Sequence, residues 1–393
     1  MVKEHKFINV FRALAAFWVL ASHCMIWGGS NIILLPSPKI AVDLFMLISG
    51  YLMAANAFTR QSTEPLTNLR SQSRFWLRRF FRIAPAYYLS LLVAVVTSSY
   101  FLGGYQELRN LNPERWAMSA GGVYDPMRIE YSLKNILLHV TFLFGLHPTW
   151  SFSTFLPDWS LSLEMQFYIV FPVLMFFLRE KRLIINSFFI GVSAFVIGVA
   201  VNKFADYYEP SLLIFKLNYF ISGILAYYII NSSMEKRKVI CLMVIAFILI
   251  SLDIRYKWGW PVLPLLLFCF IYVGRLENLS IAPKWLLTIL NSRFIHFASD
   301  ASFGVYLFHG FFISVSGLIF ANYRDLLNIS PSERVFLILV FVTFSSYLTA
   351  YVVYRMIELP GINFGKLFIR RVLPLDAPSD LNVRTNIIQR DTR

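Results

Sequence analysis

The chain has 393 residues, of which 57% are hydrophobic, 17% aromatic and only 15% charged, with a mean hydropathy of +0.60. Soluble domains are about a quarter charged, so this deficit excludes a string of soluble domains. The net charge of +14 would point to nucleic acid in a soluble chain. Here the basic residues lie between apolar runs, where the preference of Lys and Arg for cytoplasmic loops accounts for them, and no nucleic-acid partner is implied.

A bilayer core takes about 20 mostly apolar residues per helix. Ten segments approach that length: 7–27, 40–58, 82–102, 159–178, 183–201, 211–231, 239–252, 260–274, 300–321 and 335–357. The expected fold is an all-α polytopic transmembrane helix bundle of about ten spans in a lipid bilayer. The first run is too long for a signal-peptide core, carries Arg12 and is followed by further spans, so it predicts a first transmembrane helix. The segments 239–252 and 260–274 are short. The apolar stretch 136–146 is too short to cross and is placed, as a re-entrant candidate, in the long loop between the third and fourth spans.

With both termini cytoplasmic and ten crossings, the larger share of the 36 Lys and Arg residues falls on the inner side. The densest cluster, Arg60, Arg70, Arg74, Arg78, Arg79 and Arg82, sits in or beside a short loop, where that bias has most force. Residues 1–360 are expected to form one membrane domain and 361–393 a polar cytoplasmic tail, surface-bound or disordered. Cys24, Cys241 and Cys269 lie in apolar segments without paired spacing, which suggests neither a disulfide nor a metal site.

Charged groups in a membrane interior cost at least a few kcal/mol, so each calls for a reason. Arg12 and His23 are eleven residues apart, within roughly 20° of whole helical turns, and so share one face of the first helix, about 16 Å apart along it. Arg12 lies near the inner end and His23 near the outer surface. Asp43, starting the second span, and Glu164, one turn into the fourth, fall on the same outer side. A histidine with a carboxylate partner is the usual base for stripping a proton from a hydroxyl. The plain alternatives are a snorkelling Arg12, an interfacial His23, an N-capping Asp43 and a Glu164 hydrogen-bonded to Ser or Tyr. His309, near mid-membrane, either lines the same cavity or makes a packing hydrogen bond. His5, His139, His147 and His296 have no comparable neighbours. Arg79 and Arg82, three apart, lie on one helical face, as suits phosphate binding or a positive-inside stop.

Five runs in order carry a resemblance: Phe11-Arg12-Ala13-Leu14-Ala15-Ala16 leading to His23; Val42-Asp43-Leu44-Phe45-Met46-Leu47-Ile48-Ser49-Gly50-Tyr51; Arg79-Phe80-Phe81-Arg82-Ile83-Ala84-Pro85; Trp159-Ser160-Leu161-Ser162-Leu163-Glu164-Met165-Gln166-Phe167-Tyr168; and Ser302-Phe303-Gly304-Val305-Tyr306-Leu307-Phe308-His309. Over about residues 5–360 the chain resembles the acyltransferase-3 family of membrane O-acyltransferases, which modify bacterial cell-surface and secreted glycans. It departs from the family pattern at Met165, where a second Glu is frequent, and at Gly310, where Pro is frequent.

The resemblance implies an acyl-CoA donor, most often acetyl-CoA, used from the cytoplasm without a metal. It implies a glycan or lipid-linked saccharide acceptor on the outer side of the bacterial inner (plasma) membrane. The expected form is stand-alone, lacking the esterase-like SGNH domain that many members carry. Arg12, Arg79 and Arg82 would then face the donor phosphates. His23 would deprotonate the acceptor hydroxyl or carry the acyl group, with Glu164 or Asp43 orienting it and His309 nearby. The rival reading is a transporter or flippase for a glycan or lipid-linked substrate. It predicts inverted repeats and paired broken helices, which the sequence does not display. A structural protein would leave His23, Asp43 and Glu164 unexplained.

Overall fold

In lipid a backbone must satisfy its own hydrogen bonds, so long apolar runs close those bonds within a helix. The computed structural model describes residues 5–29, 37–112, 129–252, 259–323 and 329–374. Among them all regular structure is helical: α1 (Lys6–Gly28), α2 (Pro38–Thr59), α3 (Leu69–Val96), α4 (Ser98–Asn110), α5 (Leu133–Val140), α6 (Trp159–Phe177), α7 (Leu183–Phe204), α8 (Leu217–Asn231), α9 (Lys236–Ser251), α10 (Gly259–Asn278), α11 (Lys284–Leu290), α12 (Arg293–Asn322) and α13 (Pro331–Val353). A π turn, Tyr354–Glu358, carries α13 directly into α14 (Leu359–Val372). The chain is thus a polytopic helix bundle. Among the described residues eight helices are long and apolar enough to cross a membrane. The other two expected spans appear as α8, with 15 residues, and α9, with 16.

Three expected boundaries are corrected. The third span was expected at 82–102, yet α3 begins at Leu69, where the Asn68 side chain caps it by accepting from the Arg70 amide. The arginine-rich stretch is therefore helix rather than loop. Its charge is offset by Glu64, 2.8 Å from Arg74, 2.6 Å from Arg78 and 3.6 Å from Arg60. Burial alone would raise the Glu64 carboxyl, but Arg78 and Arg74 hold it below its ordinary range.

The sixth span was expected from 211, but only a short 3-10 turn, Leu213–Phe215, precedes Lys216 and the start of α8. The last span was expected to end at 357, with a polar tail from 361 that is surface-bound or disordered. Instead α14 lies on α3, with Phe364 and Phe368 5.6 and 5.8 Å from the Phe81 ring. Residues 375–393 of that tail lie outside the described residues.

The stretch 136–146 forms part of α5 and a 3-10 turn, Phe144–Leu146. Eight helical residues extend about 12 Å, far less than a bilayer core.

The innermost layer is α1, α2, α8 and α12, whose inward faces are almost completely buried. α2 and α8 touch backbone to backbone: a Cβ on Gly50 would fall 2.1 Å from the Phe220 carbonyl oxygen, and one on Gly223 2.0 Å from that of Leu47. Small residues at such crossings are how helices approach closely in lipid. The contact fixes the depth of α2, and with it Asp43 and Ser49.

Candidate active site

α1 faces α12 along its length, and a ladder of polar pairs marks the seam. The Asn9 amide lies 3.1 Å from His296 and accepts from Ser299 at 3.0 Å. Arg12 donates to Ser302 Oγ at 3.0 Å. Near the far end of α1, His23 meets His309. Arg12 and His23 thus share a face, as their spacing predicts, and the partner on that face is one helix, α12.

The hydrogen bonds of the histidine pair determine its tautomers. His309 Nδ1 lies 3.1 Å from the Val305 carbonyl oxygen and 2.8 Å from that of Tyr306. A carbonyl only accepts, so His309 carries its proton on Nδ1 and its lone pair on Nε2. That Nε2 lies 3.1 Å from His23 Nδ1, which is also 3.0 Å from the Val19 carbonyl. His23 therefore donates from Nδ1 and keeps its lone pair on Nε2. Among the described residues nothing bonds to His23 Nε2, and it is not among the sealed buried polar atoms. The rings stack with centroids 5.0 Å apart, and His309 is buried. The pair is a short relay ending in one open lone pair.

A cavity of about 290 Å³ opens beside this seam, lined among others by Arg12, Arg79, Arg82, Glu164, Tyr168 and Tyr306. Arg82 pairs with the buried Glu358 at 3.5 Å. Arg79 makes no hydrogen bond or ion pair among the described residues. Its Nε is buried without a partner, and its guanidinium rests on the Phe75 and Tyr168 rings at 5.7 and 6.0 Å. A half-buried cation resting on aromatic faces, without a hydrogen bond of its own, is a place where an anion gains more than it would in water. Glu164 accepts from Ser49 Oγ at 2.7 Å and from the Tyr168 hydroxyl. Arg12, Arg79 and Arg82 stand against the acidic side chains Glu164, Glu358 and Asp300.

The structure brings together Arg12, Arg79, Arg82 and Glu164 in one cavity, and His23 and His309 in one pair. It does not join the two groups: neither histidine lines the cavity, though Tyr306, one turn before His309, does. The two carboxylates expected beside His23 stand elsewhere in the structure. Glu164 bonds Ser49 and Tyr168 inside the arginine cavity. Asp43 is fully buried in an ion pair with Lys216, at 2.9 and 3.0 Å. Each takes its nearest compensating donor, which for Asp43 is a lysine at the irregular start of α8.

Sequence reasoning passed over Lys216, Tyr306 and Glu358. Lys216 carried a signal, being a charge inside an expected span. Tyr306 stands one helical turn before His309 on the same face. Glu358 lay one residue past the expected end of the last span. Among the described residues no three His, Cys, Asp or Glu side chains stand together as a metal site.

Comparison with known proteins bears on this geometry. The acyltransferase-3 family model, described as an acyltransferase domain, matches residues 5–355. The peptidoglycan O-acetyltransferase OatA of Listeria monocytogenes is 29% identical over 180 residues, 44% of this chain and 24% of that protein. BcsY of Komagataeibacter xylinus, whose name describes a membrane-bound transacylase, is 32% identical over 161 residues, 40% of this chain and 36% of its own. A Staphylococcus aureus (strain COL) protein named as an O-acetyltransferase is 29% identical over 163 residues, 41% of this chain and 24% of its own. The matches thus span about a quarter to a third of these relatives' lengths. No solved structure matches the chain.

Proposed function

The chain belongs to the acyltransferase-3 family, and on that premise we propose that it is a membrane O-acyltransferase. It moves an acyl group, most simply acetyl, from a cytoplasmic acyl-CoA to a hydroxyl of an exported or cell-surface glycan or its lipid-linked precursor. The observation that carries this reading is the presence of a cavity-lining guanidinium, Arg79, whose Nε is buried without a partner, and of an open imidazole lone pair on His23. The first suits the phosphates of a donor and the second suits the hydroxyl of an acceptor. That the L. monocytogenes relative is named for peptidoglycan O-acetylation supports a surface glycan as acceptor, and the helix bundle fits a place in the bacterial inner (plasma) membrane.

In this mechanism the acceptor hydroxyl gives its proton to His23 Nε2 as its oxygen attacks the thioester carbonyl carbon. The resulting imidazolium donates from Nδ1 to His309 and Val19, which disperses its charge. The carbon–sulfur bond then breaks and the leaving thiolate takes the proton. Arg79, with Arg12 and Arg82, holds the donor phosphates. Glu164 orders Ser49 and Tyr168 around them, and the Asp43–Lys216 pair fixes α2 against α8.

The test is mass analysis of surface polysaccharide from cells carrying the wild-type chain, His23→Ala or no copy. One acyl mass is expected with the wild type alone, His23→Ala being present in the membrane at wild-type level. Full acylation by His23→Ala would remove the proposed base. An unmodified polysaccharide, with labelled substrate accumulating across vesicles, would favour the transporter reading.

A further inference from the structure

Tyr306 stands where the two halves of the site fail to meet. Its ring lines the arginine cavity, and its own carbonyl accepts the proton of His309 Nδ1 at 2.8 Å. The Tyr306 and His309 ring centroids are 6.3 Å apart. The Tyr306 hydroxyl bonds the Pro157 carbonyl and Ser160 Oγ, the latter at 2.8 Å. The ring is thus latched at its tip to the entry of α6, and Tyr306 is common to the cavity lining and the surroundings of His309.

The latch has its own foundation. Asp158, between Pro157 and Ser160, is buried and accepts from Tyr87 at 3.0 Å and Thr154 at 3.1 Å. Its Oδ2 also faces His139 Nε2 at 3.5 Å. His139 Nδ1 lies 2.9 Å from the Asn135 carbonyl and so carries a proton. His139 Nε2, buried without a hydrogen bond of its own among the described residues, faces that carboxyl group. His139 is locked by stacking on Phe144, with centroids 4.0 Å apart and planes 3° from parallel. Ser153 Oγ donates to Asn135 at 3.0 Å, tying the same strip of chain to α5. A buried acid–histidine pair, with no part in the chemistry above, therefore anchors the two groups that hold Tyr306.

We propose that Tyr306 is the partition separating a bound thioester from His23 and water until an acceptor is in place, and that Asp158 and His139 are the positioning residues that hold its latch. The proposal rests on the acyltransferase reading. Without a partition, water substitutes for the acceptor. Its oxygen bonds to the thioester carbonyl carbon, its proton passes to His23 Nε2, the carbon–sulfur bond breaks, and the thiolate takes that proton. The products are a carboxylic acid and a free thiol, and the donor is wasted. A ring held by two hydrogen bonds suppresses this route, since loss of one changes the latched population by about fivefold and loss of both by about thirtyfold.

The experiment compares acceptor-free thiol release from acetyl-CoA by the purified full chain in lipid nanodiscs with acylation of surface polysaccharide in cells. The quantity read is the ratio of the first to the second. Tyr306→Phe, which keeps the ring and removes the hydroxyl with both of its bonds, is expected to raise the ratio about thirtyfold. Ser160→Ala, which leaves the ring untouched, is expected to raise it in the same direction. Asp158→Ala should also raise it. Asp158→Asn, whose amide supplies a proton facing His139, should keep it within about twofold. A general loss of packing would lower both activities and leave their ratio alone. An unchanged ratio in folded Tyr306→Phe and Ser160→Ala overturns the partition, and an unchanged ratio in folded Asp158→Ala overturns the positioning role. A wild-type chain that neither releases thiol nor acylates polysaccharide overturns the acyltransferase reading itself, and the partition with it.

Discussion

Removing Asp43 and Lys216 singly and together separates architecture from chemistry. Asp43 is 0% and Lys216 1% exposed, so Asp43→Ala leaves a buried ammonium and Lys216→Ala a buried carboxylate. Breaking one side of such a pair costs about 3–5 kcal/mol, whereas replacing both partners with apolar residues of similar volume is often neutral or stabilising. Each single change therefore removes a large part of a stability that is about 5–15 kcal/mol in ordinary domains. The Lys216 ammonium also lies 4.8 Å from the Tyr219 ring centroid, so Lys216→Met keeps a side chain in that contact.

The assay is thermal unfolding of the purified variants in one detergent, paired with polysaccharide acylation in cells. Both single variants should be strongly destabilised and poorly acylating, while Asp43→Leu with Lys216→Met should recover stability and acylation. The reasoning is refuted if single variants unfold like the wild type. It is refuted equally if the double variant is as stable as the wild type yet inactive, which would return Asp43 to the chemistry.

Two further outcomes follow from the site. Arg79→Ala should raise the apparent KM for acyl-CoA by about 10–100-fold, the loss of one or two charge-assisted hydrogen bonds, with a smaller change in kcat. Arg79→Lys should fall between, since it keeps the charge and loses the planar fork; steady-state kinetics in nanodiscs reads both. His309→Ala should lower kcat by about 10–100-fold at nearly constant KM, through loss of the acceptor that His23 Nδ1–H faces. His309→Gln, whose amide oxygen can accept that hydrogen bond, should recover part of the loss.

Much of the site was legible because helical geometry is local. The eleven-residue spacing of Arg12 and His23 places both on one face of α1, and the structure seats both on α12. Arg79, Arg82 and Glu164, read from separate motifs, meet in one cavity. What was not legible lies in pairings across the fold. His23 and His309 are 286 residues apart and Asp43 and Lys216 are 173 apart. Spacing along a chain cannot rank a carboxylate against an imidazole as the nearer neighbour.

The early start of α3 was hidden for another reason. Hydropathy counts its arginines against a helix, whereas Glu64 at the preceding turn neutralises several of them. α14 was missed because its apolar residues cover only one face, the face that Phe81 meets. His139 looked isolated because Asp158 approaches it only once the chain reverses at Phe142, where φ is 60°.

The most direct test of the account is a structure of the chain in lipid with a non-hydrolysable thioether analogue of acetyl-CoA. The account predicts phosphate oxygens within hydrogen-bond distance of Arg79 in the cavity bounded by Arg12 and Arg82. It predicts the acyl end directed at Tyr306 and the His23 side of the seam. An analogue bound elsewhere, with that cavity empty and Arg79 still on the rings of Phe75 and Tyr168, would contradict it.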